Sequence, residues 1–346
     1  MTSLRSGKCC SICRSRRRIN HFDRMQEAQA LSPGQTPEQP PDTVAILLAT
    51  RDGAAFLDDQ LRSLTGQTHK SIDIWASDDG STDGTLRILA DWRERWTRGT
   101  FHLANGPRNG FAENFRSLLA NDAIEADYFA FCDQDDLWEA GKLETALAWM
   151  RTQDASLPLL FCSRTLTISQ AGQAIGKSPL FRRQPSFRNA LVQSLAGGNT
   201  MVFNRPGRNL LARASRRAGF VSHDWWAYLL VTGTGGVVHY CPEPLVRYRQ
   251  HAGNLVGANT SWTARLARLK FLLGGGFGRW SDTNLDGLEK NRDLLTPDAA
   301  ASLELFVRAR RSSFFTAMAS LRKSGVYRQT PRGTLALWAA VALKLM

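Results

Sequence analysis

Three carboxylates lie within four residues at Asp133, Asp135 and Asp136, directly after the apolar segment Tyr128–Cys132. Like charges at this spacing raise one another's pKa unless a cation neutralises them. Mg²⁺ or Mn²⁺ held by one or two carboxylates can do so, with diphosphate oxygens completing the shell, so the segment predicts a metal site for a nucleotide substrate. A solvated acidic turn, or Asp136 as the N-cap of a helix starting near Glu139, explains the same residues.

A second polar cluster, at residues 78–85, combines two strand-end aspartates with a glycine turn and a helix start. Asp78 or Asp79 can accept a hydrogen bond from a nucleobase or a ribose hydroxyl, and Gly80 lets the backbone approach a ligand closely. A capped strand-to-helix turn, with the helix beginning at Asp83, explains the residues after Gly80. It gives the preceding aspartates no role, so the cluster favours a nucleotide-binding turn.

Apolar and helix-like segments alternate from residue 43 onward. Strands are predicted at residues 44–49, 72–76, 100–103 and 128–132, and helices at residues 54–65, 82–92 and 111–120. Continuous apolar strands separated by helices predict a mostly parallel sheet covered on both faces. Because such sheets bind ligands beyond the carboxyl ends of their strands, we expect the polar clusters at 50–53, 78–81 and 133–136 to converge at one edge.

Positive charge is concentrated at the two ends of this 346-residue chain, whose formal net charge is +13. Residues 1–41 carry seven Lys/Arg and three Asp/Glu, and residues 262–346 carry fourteen and six. These ends indicate either solvated tails or contact with an anionic surface such as the inner membrane leaflet. We expect a basic disordered tail and linker at 1–42, a catalytic domain at 43–260 and a basic helical region at 261–346.

Several classes of protein lack support in this sequence. It has no segment of eighteen apolar residues and no apolar stretch in its first thirty residues, so we expect a cytoplasmic protein. No glycine-rich phosphate loop follows a predicted strand, which argues against NTPases, nucleotidyltransferases and dinucleotide enzymes. The cysteines predict no disulfide framework, and Cys9, Cys10 and Cys13 lack a second ligand pair for zinc. Residues 334–346 are too short to span a bilayer but could lie on its surface or pack on the core, and we expect core packing.

These motifs together resemble those of the inverting GT-A glycosyltransferases of family 2, over about residues 44–257. The loop Thr50-Arg51-Asp52-Gly53 matches the end of that family's first strand, with Arg51 in place of the usual tyrosine. The rhamnosyltransferase-like branch is the most similar, through Asp133-Gln-Asp-Asp-Leu-Trp138, Gly197-Gly-Asn-Thr200, His223-Asp-Trp-Trp226 and Tyr248-Arg-Gln-His251. The resemblance implies an α/β GT-A fold, Rossmann-like with a mostly parallel sheet, followed by C-terminal helices.

The resemblance also implies donor-side roles for individual residues. They are Thr50, Asp52, Asp78 and Asp79 for the nucleoside, Asp133 and Arg249 for the donor sugar and diphosphate, and Asp135, Asp136 and His251 for Mg²⁺ or Mn²⁺. A neutral imidazole can complete a metal shell, and an arginine can neutralise diphosphate. A structural role for an isolated histidine such as His251 is the alternative.

On the acceptor side, an inverting transfer needs a base, because a sugar hydroxyl is too weakly acidic to attack unaided. We expect Asp224 to be this base. Trp225 and Trp226 could form an apolar floor on which sugar rings stack, and burial beside them would raise the pKa of the aspartate. Gly198 would permit close backbone approach to a substrate. Asp224 as a helix N-cap, with both tryptophans in the core, is the alternative.

The predicted function is metal-dependent, inverting transfer of a sugar to a glycan or lipid-linked acceptor in cell-surface polysaccharide synthesis. By resemblance the donor is a nucleotide sugar, dTDP-rhamnose. The inner membrane surface is a further expected partner, and nucleic acid is not. The competing prediction is a non-enzymatic nucleic-acid or membrane-surface binding protein with an inactive GT-A-like core, suggested by the basic pI of about 10.0.

Overall fold

The structure is a computed structural model that describes residues 42–251 and 276–345. Within these ranges nine strands form one sheet. The strands are β1 (Val44–Thr50), β2 (Ile72–Asp78), β3 (Phe101–Asn105), β4 (Tyr128–Cys132), β5 (Leu137–Trp138), β6 (Leu159–Ser169), β7 (Ala174–Lys177), β8 (Val202–Asn204) and β9 (Val237–Gln250).

Helices cover both faces of this sheet and continue after it. In chain order they are α1 (Leu57–Thr65), α2 (Thr85–Arg95), α3 (Phe111–Ala120), α4 (Lys142–Met150), α5 (Phe187–Ala190), α6 (Arg205–Arg217), α7 (His223–Gly233), α8 (Gly276–Lys290), α9 (Pro297–Arg311), α10 (Phe314–Ser324) and α11 (Pro331–Ala342). Two single 3₁₀ turns, Gly198–Thr200 and Arg292–Leu294, lie between them.

The strand order is β3-β2-β1-β4-β8-β6-β9-β5, with β7 paired to β6. The first four strands are parallel and carry the alternation of strands and helices predicted from the sequence. β8 pairs antiparallel with β4 and β6, whereas the long β6–β9 ladder is parallel again. The longest ladders are therefore parallel, and the predicted mostly parallel α/β sheet is confirmed.

Both faces of β1 are buried, which is why its sequence is apolar throughout. Val44, Ile46 and Leu48 face one core, together with α1, α2 and α4. Ala45 and Leu47 face the other core, together with α3, α6 and α7. Neighbouring side chains on a strand point to opposite faces, so a strand between two helical layers needs apolar residues at every position.

The helices after residue 276 complete the second of these cores. Leu288, Leu303, Phe306 and Leu321 from α8, α9 and α10 belong to it, as do Leu337 and Val341 from α11. The described part of residues 334–346 therefore packs on the core, as predicted. Among the described residues, no helix has both the length and the hydropathy to cross a membrane. The predicted basic tail and the cluster of Cys9, Cys10 and Cys13 lie outside the described residues.

We predict that Phe306→Ala lowers the free energy of unfolding by about 3–5 kcal/mol, because it empties a fully buried site between α9 and the core. Phe306 is 0% exposed. Phe315→Ala is the matched control, since this ring is 84% exposed, and it should change stability by less than about 0.5 kcal/mol. Urea unfolding of the full chain, followed by tryptophan fluorescence, measures both. Equal effects of the two substitutions would show that α9 is not part of the core.

Candidate functional site

The loops that follow β1, β2 and β4 meet at the carboxyl edge of the parallel strands. Thr50 and Asp78 are partners in the β1–β2 ladder, and the Thr50 hydroxyl donates to the Asp78 carboxylate at 2.9 Å. The N–H of Arg51 donates to the side-chain oxygen of Gln134 at 2.8 Å. The three polar clusters thus converge, as the order of strands and helices predicted.

Asp78 and Asp79 are both almost fully buried, and protein donors surround their oxygens. Asp78 accepts from the N–H and the hydroxyl of Ser81 at 2.8 and 2.5 Å. Asp79 accepts from the N–H groups of Arg108 and Gly110 at 2.6 and 2.8 Å. Both aspartates therefore shape the loops around the predicted nucleoside site, a role that the motif did not predict. Their contact with a nucleoside stays a prediction.

The β1–α1 loop presents polar side chains to solvent at this edge. The side chains of Arg51 and Asp52 are 59% and 47% exposed. Gln134 holds this loop by exchanging two hydrogen bonds of 2.8 Å with the backbone of Arg51. A Cβ at Gly53 would lie 2.2 Å from the side-chain oxygen of Gln134, so the contact requires glycine. The sequence analysis gave Gln134 no role. Its position between Asp133 and Asp135 was the one feature of the sequence that could have indicated a role at this site.

Asp135 and His251, two of the predicted metal ligands, lie together. Nε2 of His251 is 2.7 Å from a carboxylate oxygen of Asp135, and both side chains are about one-sixth exposed. The ring of Phe56 packs on the imidazole with 4.7 Å between ring centroids. A carboxylate oxygen and an imidazole nitrogen can both ligate Mn²⁺, and Mg²⁺ accepts the oxygen.

Asp136 points into the protein, unlike Asp135. It is 0% exposed and accepts from the side-chain amide of Asn199 at 2.5 Å and from the N–H of Arg249 at 3.0 Å. Burial, and then the charge of Asp135, raises the pKa of Asp136 to about 7. Both Asp136 oxygens therefore accept hydrogen bonds from within the protein, and its role as a metal ligand stays a prediction. The N-cap alternative is wrong, since Gly141 caps α4.

Arg249 is buried and contacts the backbone of the acidic motif at 133–136. It is 4% exposed, and its guanidinium donates to the carbonyl oxygens of Asp135 and Gln170 at 3.1 and 2.7 Å. A third contact, at 3.2 Å, is made with the carboxylate of Asp59. These bonds correct the expected diphosphate role, because they hold the guanidinium inside the protein.

Asp224 lies in the first turn of α7, at the same edge. It accepts from the N–H of Trp225 at 2.7 Å and from the hydroxyl of Ser194 at 3.4 Å, and Ser222 takes the N-cap position. Burial raises the pKa of Asp224. Burial also raises the pKa of Asp133 well above its usual range, and the negative charges of the motif carboxylates and of Asp224 raise it further. Asp224 thus lies close enough to the acidic motif for their charges to interact.

Trp225 and Trp226 lie in the core, which corrects their expected place as a floor for the acceptor. Trp225 is 5% exposed, and its indole N–H donates to the carbonyl of Ala190 at 2.6 Å. Trp226 is 0% exposed and donates to the hydroxyl of Ser215 at 3.3 Å. Neither ring leaves a face on which a sugar could stack.

His223 is buried beside Asp224 among aromatic rings. Its ring centroid lies 3.7 Å from that of Phe115 and 4.6 Å from that of Phe131. Burial lowers the pKa of His223 to about 3, so the imidazole is neutral at neutral pH. A Cβ at Gly198 would lie 1.9 Å from Nε2 of His223. This packing by itself requires glycine at position 198.

Part of this chain matches a known family of proteins. Residues 45–203 match the family model of glycosyl transferase family 2. The chain contains a family 2 glycosyltransferase domain. The resemblance seen in the motifs is thereby confirmed.

Two relatives of this glycosyltransferase chain are a rhamnosyl transferase and a putative teichuronic acid biosynthesis glycosyltransferase. It is 27% identical over 230 residues to the dTDP-rhamnosyl transferase RfbG of Shigella flexneri, covering 64% of this chain and 78% of RfbG. It is 25% identical over 221 residues to the putative teichuronic acid biosynthesis glycosyltransferase TuaG of Bacillus subtilis, covering 64% and 83%. The crystal structure of S. aureus TarS 1–349 has a TM-score of 0.51 at 12% identity, with 87% of each chain covered, and so shares the fold.

The family 2 glycosyltransferase match ends at residue 203 and therefore contains the donor-side motifs at 78–85 and 133–136. Asp224, Arg249 and His251 lie beyond it. Their connection to the motifs comes from the fold, because β9 and α7 return the chain to the same sheet edge.

We predict that His223→Phe reduces the loss of stability on acidification. As the pH falls, an unfolded histidine takes up a proton near pH 6.5, whereas folded His223 stays neutral down to about pH 3. The wild-type chain should therefore lose about 2 kcal/mol through this residue between about pH 6.5 and pH 5, and the variant should not.

Urea unfolding at about pH 7 and pH 5 measures this difference for each protein. His102→Phe, at an exposed position, is the control for replacing a histidine by phenylalanine. An equal acid-induced loss in wild type and His223→Phe would contradict the assignment.

Proposed function

We propose that this glycosyltransferase transfers rhamnose from dTDP-rhamnose to a glycan or lipid-linked acceptor in cell-surface polysaccharide synthesis, with inversion at the anomeric carbon. The observation that carries the proposal is the position of Asp224, a partly buried carboxylate with a raised pKa, in the first turn of α7, where its charge interacts with the acidic motif at 133–136. A candidate base near a candidate donor site supports the transfer of a sugar to an acceptor hydroxyl. The relation to RfbG supports the choice of donor.

On the donor side, the nucleoside would lie against the loops after β1 and β2. The half-exposed side chains of Arg51 and Asp52 are available there, and Thr50, Asp78 and Asp79 hold the loops. Arg51 carries the positive charge that diphosphate attracts, and its side chain lies 3.8 Å from Asp79. Asp133, at the end of β4, would contact the donor sugar.

A divalent cation fits the donor set at Asp135 and His251, which supply one oxygen and one nitrogen ligand. Within the described ranges no three His, Cys, Asp or Glu side chains form a cluster arranged for an ion. Diphosphate oxygens and water would supply the other ligands, as is usual where Mg²⁺ or Mn²⁺ binds with a nucleotide. When bound, such an ion would neutralise charge on the leaving diphosphate.

On the acceptor side, Asp224 would take the proton of the attacking hydroxyl as the new bond to the anomeric carbon forms. The bond between that carbon and the diphosphate oxygen breaks, and its electron pair leaves with dTDP. A raised pKa makes the Asp224 carboxylate a stronger base than an exposed aspartate. A single displacement by one hydroxyl inverts the anomeric centre.

We predict that dTDP together with Mn²⁺ raises the melting temperature of the full chain by several degrees, because a ligand that binds only the native state stabilises it. Asp135→Ala should remove the part of the shift that depends on Mn²⁺. Asp91→Ala, at an exposed position on α2, should keep the whole shift. UDP and GDP in parallel test the base. If none of these nucleotides shifts the melting temperature, or if Asp135→Ala responds as wild type does, the donor assignment is wrong.

We predict that Asp224→Asn slows release of dTDP from dTDP-rhamnose by about 100-fold or more, with water or glycan as the acceptor, because the base is lost. The melting-temperature shift caused by dTDP and Mn²⁺ should stay the same, since Asp224 lies on the acceptor side. Chromatography of released dTDP measures the rate, and Asp91→Asn is the matched control. Unchanged turnover would exclude Asp224 as the base, and no turnover by wild type would favour the competing inactive-core prediction.

A further inference from the structure

Residues 305–346 contain eight Lys/Arg and no Asp or Glu. This segment holds α10, α11 and the C-terminal part of α9, which pack on the core. Segments of this size normally mix charges of both signs on their surface. A surface with cations alone is suited to an anionic partner.

The segment also carries the most exposed large apolar side chains in the part of the chain that the structure describes. Phe315 is 84% exposed, Leu335 is 72%, Leu343 is 68% and Phe314 is 54%. The next, Ile175, is 50% exposed. Single exposed apolar residues are common, but four together on two neighbouring helices indicate an interaction surface.

These apolar side chains share helix faces with the cations. On α10 the outward residues recur at helical spacing, whereas Ala317, Ser320 and Leu321 face the core. The outward residues include Phe315, Ala319, Arg322 and Lys323 on α10, Arg332, Leu335 and Ala339 on α11, and Leu343 directly after α11. We name these eight residues the basic apolar face. Its composition is that of a helix surface that lies in a membrane interface.

The cations of this segment are largely uncommitted. Arg310 pairs with Asp282 at 2.7 Å. Over residues 42–251 and 276–345, no carboxylate lies within 4.0 Å of the cationic groups of Arg311, Arg322, Lys323, Arg332 or Lys344. Their charges are therefore available to a partner.

Charge also decides between the possible occupants of this face. Residues 1–41 carry a net charge of +4, and residues 252–275 carry three Lys/Arg and no Asp or Glu, so each of these two segments has a net charge of the same sign as the face. A second copy of the face would be repelled for the same reason. Nucleic acid matches the cations but gives Phe315, Leu335 and Leu343 nowhere to be buried.

We propose that the basic apolar face docks on an anionic lipid bilayer. Its cations would lie among the headgroups, and its phenylalanine and leucine side chains would insert beside the acyl chains. This inference goes beyond the proposed transfer reaction and does not depend on it, although a lipid-linked acceptor would be presented at such a surface.

The test is sedimentation of the full chain with vesicles of phosphatidylcholine containing about 30% phosphatidylglycerol, against phosphatidylcholine alone. We expect binding to the anionic vesicles that weakens as salt rises. Arg322→Gln with Lys323→Gln should reduce this binding by about 30-fold, since each cation near an anionic surface contributes about fivefold. Phe315→Ser with Leu335→Ser should reduce it by about 10-fold or more.

Arg87→Gln with Arg93→Gln is the matched control, because it makes the same charge change at exposed positions of α2, which packs on the other face of the sheet. Melting temperatures confirm that each variant is folded. Binding that is equal in the Arg322/Lys323 variant and in the control would overturn the proposal. A short DNA duplex is the competing probe: binding to it that depends on Arg322 and Lys323, without vesicle binding, would show a nucleic-acid surface instead.

Discussion

Crowding of negative charge at the carboxyl edge of the sheet is the constraint around which this site is built. Three carboxylates at 133–136 and the carboxylate of Asp224 lie there. Lys142 lies fully buried at the start of α4, with its ammonium over the ring of Trp138. Burial lowers the pKa of Lys142 well below its usual range, and the charges of nearby acidic groups oppose that effect. Lys142 and these aspartates therefore favour one another's charged forms, while burial opposes the charge on both sides.

The acidic motif at 133–136 also connects several loops of the protein to one another. Gln134 holds the β1–α1 loop, Asp136 holds Asn199 in the Gly198–Thr200 turn, and Arg249 fixes the end of β9. Each contact joins segments that are far apart in sequence. The geometry of the donor site, the turn beside His223 and the position of His251 are therefore set together, so a substitution in the motif acts on all three.

The sequence predicted the parallel half of the sheet well, because its strands are long, apolar and separated by helices of regular length. β4 and α3 have the predicted bounds, Tyr128–Cys132 and Phe111–Ala120. The antiparallel strands β5 and β8 were not predicted, since two or three residues are too few for a period to be read. The order of strands and helices also predicted that the loops after β1, β2 and β4, which carry the family motifs, meet at the carboxyl edge of the sheet.

The direction of individual side chains was harder to predict than their position. Asp135 and Asp136 are neighbours, yet one lies at the edge and the other is buried against Asn199. Arg249 has the charge for diphosphate, but it serves carbonyl groups within the protein. Composition and spacing give no information on which way such a side chain turns, because that depends on partners distant in sequence.

Trp225 and Trp226, which follow Asp224, connect the C-terminal helices to the position of this aspartate. α7 is buried on nearly all sides, so its first turn is fixed only as firmly as the core around it. From α8, Phe277 stacks on Trp225 with 5.9 Å between centroids, and a Cβ at Gly287 would lie 2.9 Å from the ring of Trp226. The two rings thus transmit the packing of α8 to the helix that carries Asp224. Burial at this site raises the pKa of the aspartate, while hydrogen bonds from the Ser222 side chain, the backbone N–H of Trp225 and the Ser194 hydroxyl limit that rise. The helices after residue 276 are therefore part of what positions Asp224, the base of the proposed transfer, although the motifs at 78–85 and 133–136 lie outside them.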